Sequence, residues 1–221
     1  MRKNILAPSI LAADFCQLGN QIQMTEENGA KYLHFDVMDG KFVPSISFGV
    51  SVLASIKKVS TQVMDVHLMI ENPIQHIEAF VNAGADSITV HVEACEDIQE
   101  TIDKIKQYNM KCGLSVKPGT SVEVLTPYLS QIDMVLMMSV EPGFGGQAFI
   151  PASLERITKV KDMIDQAGLD VDIEVDGGIY LSNVEAVLDA GANIIVSGSA
   201  VFGGEIAENT KAFIKILNAH E

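Results

Sequence analysis

The feature that most constrains this chain is a rhythm. Short apolar runs alternate with amphipathic helical patterns, and the alternation recurs eight times. The strand candidates are "NILAPSIL" (4–11), "YLHFDVM" (32–38), "VMDVHLM" (63–69), "SITVHVE" (87–93), "KCGLSV" (111–116), "MVLMMSV" (134–140), "DIEVDGG" (172–178) and "NIIVSGS" (193–199). Helical patterns fall near 14–28, 49–58, 73–83, 96–108, 121–130, 151–167, 181–190 and 204–219. Short apolar runs joined by helical crossovers predict a parallel sheet buried on both faces. "GADSITV" and "GANIIVS" place Gly84 and Gly191 where a helix should stop ahead of a strand. "ENPIQHI" places Pro73 early in its helix, where a missing N–H costs little. Eight such units match a (β/α)8 barrel, and the length of 221 residues suits one domain over 1–221. A doubly wound sheet is the main competitor. Even spacing and the lack of a Gly-rich turn after the first strand favour the barrel.

Charge narrows the partners. Fifteen Lys and Arg stand against 29 Asp and Glu, a net charge of −14, with no basic run. That balance argues against nucleic acid and anionic membranes. It leaves room for an anionic metabolite, because a local site can be positive inside an acidic protein. Cys16, Cys95 and Cys112 show no paired spacing, which suggests a reducing compartment. The start "MRKNILAPSILAADF" has the basic and apolar order of a signal peptide. Pro8, Ser9 and Asp14 interrupt it, and no cleavage-like segment follows. No stretch reaches the length of a membrane span. The expectation is a cytoplasmic protein.

In barrels of this kind the active site lies at the carboxyl ends of the strands. The second strand carries His34, Asp36 and Met38 on one face, since alternate residues of a strand point the same way. The third carries Asp65, His67 and Met69, the fourth His91 and Glu93, and the seventh ends at Asp176. His67 and Asp176 could converge with His34 and Asp36. Two imidazoles and two carboxylates suit Zn²⁺, Fe²⁺, Mn²⁺ or Co²⁺. A single histidine of this kind is more often a hydrogen-bonded core residue. Four such groups at matching strand positions favour one divalent metal ion. His91 and Glu93 read either as partners that orient a ligand or as a buried polar pair.

Glycine loops follow the last three strands: "PGFGGQ" (142–147), "DGG" (176–178) and "SGS" (197–199). Single Gly pairs often mean no more than a turn. Three such loops side by side suggest a phosphate held by backbone N–H groups, with Gly143, Phe144, Gly145, Gly146, Gly177, Gly178, Gly198 and Ser199 as its lining. Methionine is usually a core gap-filler, as Met137 can be. Met38, Met69 and Met138 sit at the mouth and could instead cap a planar anion.

Together "APSILAADF", "HFDVMDGKFVP", "DVHLM", "SVEPGFGGQAFIP", "EVDGG" and "VSGSAVF" resemble the ribulose-phosphate 3-epimerase family, from about residue 5 to 203. The resemblance implies a (β/α)8 barrel of the ribulose-phosphate-binding type. It implies a metal-dependent isomerase of the pentose phosphate pathway, working on a phosphorylated ketopentose and commonly assembled as a homo-oligomer. By resemblance, His34, Asp36, His67 and Asp176 are the metal ligands, Asp36 and Asp176 are the acid/base pair, and Ser9 and His67 touch the sugar. One departure is Ser45, where the family usually has Asn after "FVP". A group acting on allulose 6-phosphate shares the scaffold. A metal-dependent lyase on the same barrel is a rival; it usually needs an active-site lysine, and Lys117 in "SVKPGT" is the nearest. A phosphosugar-binding barrel without catalysis gives no reason for paired carboxylates.

Overall fold

The computed structural model describes residues 3–220. Met1 and Arg2, which open the basic lead-in noted above, and Glu221 lie outside them. The strands are β1 (Ile5–Pro8), β2 (Tyr32–Met38), β3 (Val63–Met69), β4 (Ser87–His91), β5 (Lys111–Val116), β6 (Met134–Met138), β7 (Asp172–Asp176) and β8 (Ile194–Ser197). The α-helices are α1 (Leu18–Glu27), α2 (Val50–Ile56), α3 (Ile77–Ala83), α4 (Ile98–Gln107), α5 (Ser153–Gln166), α6 (Val184–Asp189), α7 (Ser199–Phe202) and α8 (Ile206–Ala219). All eight strands form one parallel sheet in the order β1-β8-β7-β6-β5-β4-β3-β2. A single parallel bridge, Ser9 to His34, joins its two edges and closes the barrel. The barrel expectation holds and the doubly wound sheet does not. Among the described residues no helix is long and apolar enough to cross a membrane.

Local chemistry accounts for the helices. Gly84 closes α3 at φ 103°, and Gly191 follows α6 at φ 113°. A side chain strains that left-handed backbone, so Gly ends both helices. Asp97 caps α4 by accepting from the Glu100 N–H at 2.9 Å, and Lys104 and Lys106 lie in its last turn.

Some boundaries differ from the pattern. Residues 121–130 form no α-helix but two 3₁₀ turns, Val122–Leu125 and Leu129–Gln131. Val122, Val124 and Thr126 are β-branched, and Pro127 has no N–H to continue a helix. Pro73 opens a short 3₁₀ turn, Pro73–Gln75, and α3 begins only at Ile77. Several strands end early. The chain leaves the sheet after Pro8, His91, Met138, Asp176 and Ser197, which puts Ser9, Glu93, Gly177 and Gly198 in connections at the barrel mouth. Ser199 belongs to α7 and not to β8.

The two faces of the sheet differ. Leu33, Phe35, Val37, Val66, Leu68, Val90, Leu114, Val135 and Val175 pack into one large core with helix residues such as Ile22, Leu53, Ile105, Ile157 and Phe213. Met137 lies there too, as a gap-filler. The inward face is apolar on one side, with Ala7, Met134, Ile194 and Val196 in one cluster and Leu136, Met138 and Val140 in another. Its other side is polar: His34, Asp36, Asp65, His67, Ser87, Thr89, His91, Ser115 and Glu174 are all buried. Buried polar groups need partners. Hydrogen bonds link Asp36, His67, His91, His34, Asp65 and Ser87, whereas the hydroxyls of Thr89 and Ser115 find no hydrogen-bond partner among the described residues.

Candidate active site

β2, β3 and β7 deliver the chemistry. The strand register sets Asp36 beside His67 and Met38 beside Met69. Asp176, across the barrel, is in register with Met138. As a result His34, Asp36, His67 and Asp176 each turn one donor atom to a common point, all within 4.8 Å of one another. His34 Nε2 lies 3.3 Å from Asp36 Oδ1 and 3.9 Å from Asp176 Oδ2. His67 Nδ1 lies 3.2 and 3.8 Å from the same two oxygens. The two ring nitrogens are 3.4 Å apart. Two imidazole nitrogens and two carboxylate oxygens facing one point form a donor set that fits a divalent ion.

The electrostatics favour positive charge at that point. Burial alone would lower the His34 pKa, but the charge of Asp36 and hydrogen bonds to Asp36 and Asp65 raise it well above the ordinary histidine value. Burial alone would raise Asp36. The charge on His34 and its hydrogen bond outweigh it and hold that carboxyl well below the usual range. Asp176 goes the other way: burial first, then the charge of Asp36, push it up to about 6. Burial lowers both His67 and His91.

Below about pH 6 Asp36 is held as an anion while Asp176 is favoured as the acid, and this has a consequence for stability in the metal-free protein. A carboxyl raised from about 3.9 when unfolded to about 6 when folded favours the fold only while protonated. Its contribution is intact below pH 4 and is lost as pH rises through 6. Asp176→Asn mimics the neutral form. In chelator-treated protein it should gain up to about 3 kcal/mol over wild type at pH 8, and the gain should vanish near pH 4. Urea denaturation at both pH values measures it; a variant weaker than wild type at pH 8 would contradict the raised pKa.

A deeper layer holds these side chains. His34 Nδ1 lies 2.7 Å from Asp65 Oδ2 and 3.4 Å from Glu174 Oε1. Ser87 donates to the other oxygen of Asp65 at 2.6 Å. Burial and the charge of Asp65 push Glu174 well above the ordinary value, so it sits there neutral. Sequence reasoning missed Glu174 as a site neighbour. The signal was available: it stands two residues before Asp176 on the same strand face. Behind His67 stands His91, with the two Nε2 atoms 2.9 Å apart.

Above this floor opens a cleft of about 600 Å³. Asp36 and Asp176 form its base, and Met38, Met69 and Met138 its walls. Met38 and Met69 pack with Phe42 and Val43 on one side, while Met138 packs with Leu136 and Val140 on the other. Gly143, Phe144, Gly145, Gly146, Gly177, Gly178, Gly198 and Ser199 line the cleft, as does Ser9. Ser9 Oγ donates to Asp36 Oδ2 at 2.5 Å, so one oxygen of Asp36 faces the histidines and the other is held from the seam. His67, expected also to touch the sugar, is fully buried and does not line the cleft. Gln147 and Tyr180 line it without having been foreseen. Ser45 stays outside it, its carbonyl accepting from the Gly40 N–H at 2.9 Å. Lys117 is outside as well, with its ammonium 3.9 Å from the centre of the Phe42 ring.

Fold and site define a class: a parallel (β/α)8 barrel with a His/Asp cluster fit for a metal ion on its floor and glycine loops at its rim. The chain belongs to the ribulose-phosphate 3 epimerase family, whose model matches residues 5–202. It is 48% identical over 199 residues to the ribulose-phosphate 3-epimerase of Bacillus subtilis, covering 90% of this chain and 92% of that one. It is 46% identical over 213 residues to the enzyme of that name from Aquifex aeolicus, covering 96% of each. Among solved structures, KGPDC from Streptococcus mutans superposes with a TM-score of 0.74 at 10% identity, over 99% of both chains. A 3-hexulose-6-phosphate synthase superposes at 0.67 with 20% identity, over 99% of both chains. These two likenesses concern the fold.

Proposed function

We propose that this chain interconverts D-ribulose 5-phosphate and D-xylulose 5-phosphate by inverting C3, as a step of the pentose phosphate pathway, with residues 1–221 as one barrel domain. The observation that carries the reading is the carboxylate pair Asp36 and Asp176 on the cleft floor, converging with His34 and His67 on one point. Family membership and the names of the relatives support the substrate.

Inversion needs a proton removed from one face of a carbon and another delivered to the opposite face. A single base would tend to return the proton where it found it. In the ribulose-to-xylulose direction Asp36 takes the C3 proton and Asp176 supplies one from the other side; the roles exchange in reverse. Ser9 holds Asp36 Oδ2 and so limits the rotation of the carboxylate. The three methionines keep water from the planar enediolate between the two carboxyls. His34, Asp36, His67 and Asp176 would hold one divalent ion (Zn²⁺, Fe²⁺, Mn²⁺ or Co²⁺), which when bound supplies positive charge against the negative charge developing on the sugar. Backbone N–H groups of the glycine loops and the start of α7 would hold the phosphate, whose binding positions the reacting carbon. The partners on this reading are a phosphorylated ketopentose and further copies of the chain, for which Phe15, Ile46 and Val59 offer exposed apolar surface. No lysine lines the cleft, which disfavours the lyase.

Proton NMR of D-ribulose 5-phosphate in D₂O with the purified protein tests this. The expected result is D-xylulose 5-phosphate carrying deuterium at C3, with both signals stopped by a chelator and restored by metal. Cleavage of a carbon–carbon bond would replace this reading with the lyase. Turnover of allulose 6-phosphate alone would shift the substrate to a ketohexose.

A further inference from the structure

The polar network does not stop at His67. Its ring meets that of His91 edge to edge, with planes 26° apart and centroids 5.0 Å apart, so the two Nε2 atoms face each other at 2.9 Å. The far nitrogen of His91, Nδ1, lies 3.3 Å from Glu93 Oε2. The other oxygen of Glu93 accepts from the Lys117 N–H at 2.8 Å and from the Thr120 hydroxyl. Hydrogen bonds from His91, Thr120 and Lys117 overcome burial and hold Glu93 at about 2, so it is always an anion. The loop that grips Glu93 is anchored in turn. Arg156 of α5 donates to the carbonyls of Pro118, Lys117 and Thr120 at 2.6, 3.0 and 2.7 Å.

Two facing ring nitrogens at hydrogen-bond distance share one proton. Which ring owns it is decided from the outer end. The Glu93 carboxylate can only accept, so His91 must carry a proton on Nδ1. A neutral His91 then has a bare Nε2 and accepts from His67 Nε2–H. With its proton on Nε2, His67 presents a bare Nδ1 to the point it shares with His34, Asp36 and Asp176. Without His91 the competing tautomer has a ready partner, because Asp36 Oδ1 lies 3.2 Å from His67 Nδ1 and can accept a proton there. That tautomer has no lone pair to offer a metal.

We propose that Glu93 and His91 form a positioning relay that sets the tautomer of His67, so that its Nδ1 stands open to the metal. The proposal rests on the metal-site reading above. It assigns a role to the pair that the sequence left between two readings, and it ties a ligand on β3 to the loop after β5. Neither Glu93 nor His91 lines the cleft or reaches substrate.

The test uses full-length, chelator-treated protein titrated with Co²⁺, followed by visible absorption. His91→Leu removes the acceptor and should weaken Co²⁺ binding roughly 10–100-fold. His91→Gln restores an acceptor oxygen and should bind at least about tenfold more tightly than His91→Leu. Circular dichroism establishes that both variants fold. Independently, ¹⁵N NMR of labelled histidine in the metal-free protein should place the His67 proton on Nε2 in wild type and on Nδ1 in His91→Leu. Equal Co²⁺ affinity in wild type and His91→Leu, or a wild-type His67 protonated on Nδ1, overturns the relay while the metal site stands. No Co²⁺ binding by the wild type overturns the metal-site reading and the relay with it.

Discussion

Asp176→Asn should stop epimerisation yet keep exchanging the C3 proton of one epimer. On the two-base proposal, Asp36 left intact would still serve as the base toward D-ribulose 5-phosphate. It can remove the proton and return deuterium to the same face. The opposite face has lost its acid, so no xylulose product forms. Asp36→Asn should show the mirror image, with exchange confined to D-xylulose 5-phosphate. Turnover should fall by at least about 10³-fold in each variant, within the range for loss of a general acid or base. Incubation in D₂O with each epimer separately reads both quantities. Both residues also face the metal point, so metal content must be measured beside activity; asparagine keeps one oxygen for coordination. Near-normal epimerisation by either variant would end the two-base scheme. Exchange of both epimers by one variant would point to a single mobile base.

Gly178→Ala should be the most damaging change in the glycine loops. Gly178 has φ +66°, and a Cβ there would lie 2.4 Å from Phe149 N and 2.8 Å from Phe149 Cα. Those are backbone atoms, so no side chain can swing aside. The loop after β7, which lines the cleft, and the segment at Ala148 and Phe149, next to the cleft-lining Gln147, would have to part. A displacement near 1 Å costs about 10²-fold in catalysis, so kcat/KM should drop at least about that much, mostly through KM for the phosphosugar. Stability should fall by roughly 2–4 kcal/mol, from left-handed strain and crowding together. Gly168→Ala is the matched control. Its φ is +65°, nothing stands within 4 Å of its Cβ, and it does not line the cleft. It should cost about 1 kcal/mol and leave KM unchanged. If the two variants behave alike, backbone strain alone explains both and the close approach at Gly178 carries no functional weight. Thermal denaturation and steady-state kinetics on the pair decide.

What could be read in the sequence was what repeats locally. Period-two alternation put His34, Asp36 and Met38 on one face, and the structure has them there. The ends of α3 and α6 followed from one glycine each. What could not be read depends on how strands lie against each other. Asp36 is level with His67 only because β2 and β3 pair with that register. Strand tilt and packing across the barrel set it, and neither is written in one strand. The same holds for the His67–His91 contact, which joins β3 to β4. The mouth was read as longer strands than the fold allows, because apolar runs such as "MVLMMSV" continue past the point where the backbone turns away. The missing helix at 121–130 is different in kind. An apolar periodicity was present, and β-branched residues with Pro127 overrode it.

The single-bridge seam bears on the order of assembly. From β2 to β8 each strand pairs with the next one made, so the sheet can grow as the chain does. β1 cannot join that growth at the outset. Its main-chain partner is β8, with Ile5 opposite Ile194, and it meets β2 through one bridge alone. Contacts so far apart in sequence form late, because the loop-closure entropy is met before they give anything back. The first strand synthesised is thus expected to dock last, with the Ser9–Asp36 hydrogen bond laid down in that closing step. The outer described segments meet, with Asn4 Nδ2 donating to the Leu217 carbonyl at 3.1 Å. A circular permutant joined there and opened between α1 and β2 would make β1 the sequence neighbour of β8, and the slowest pairing of the natural chain would become one of its most local.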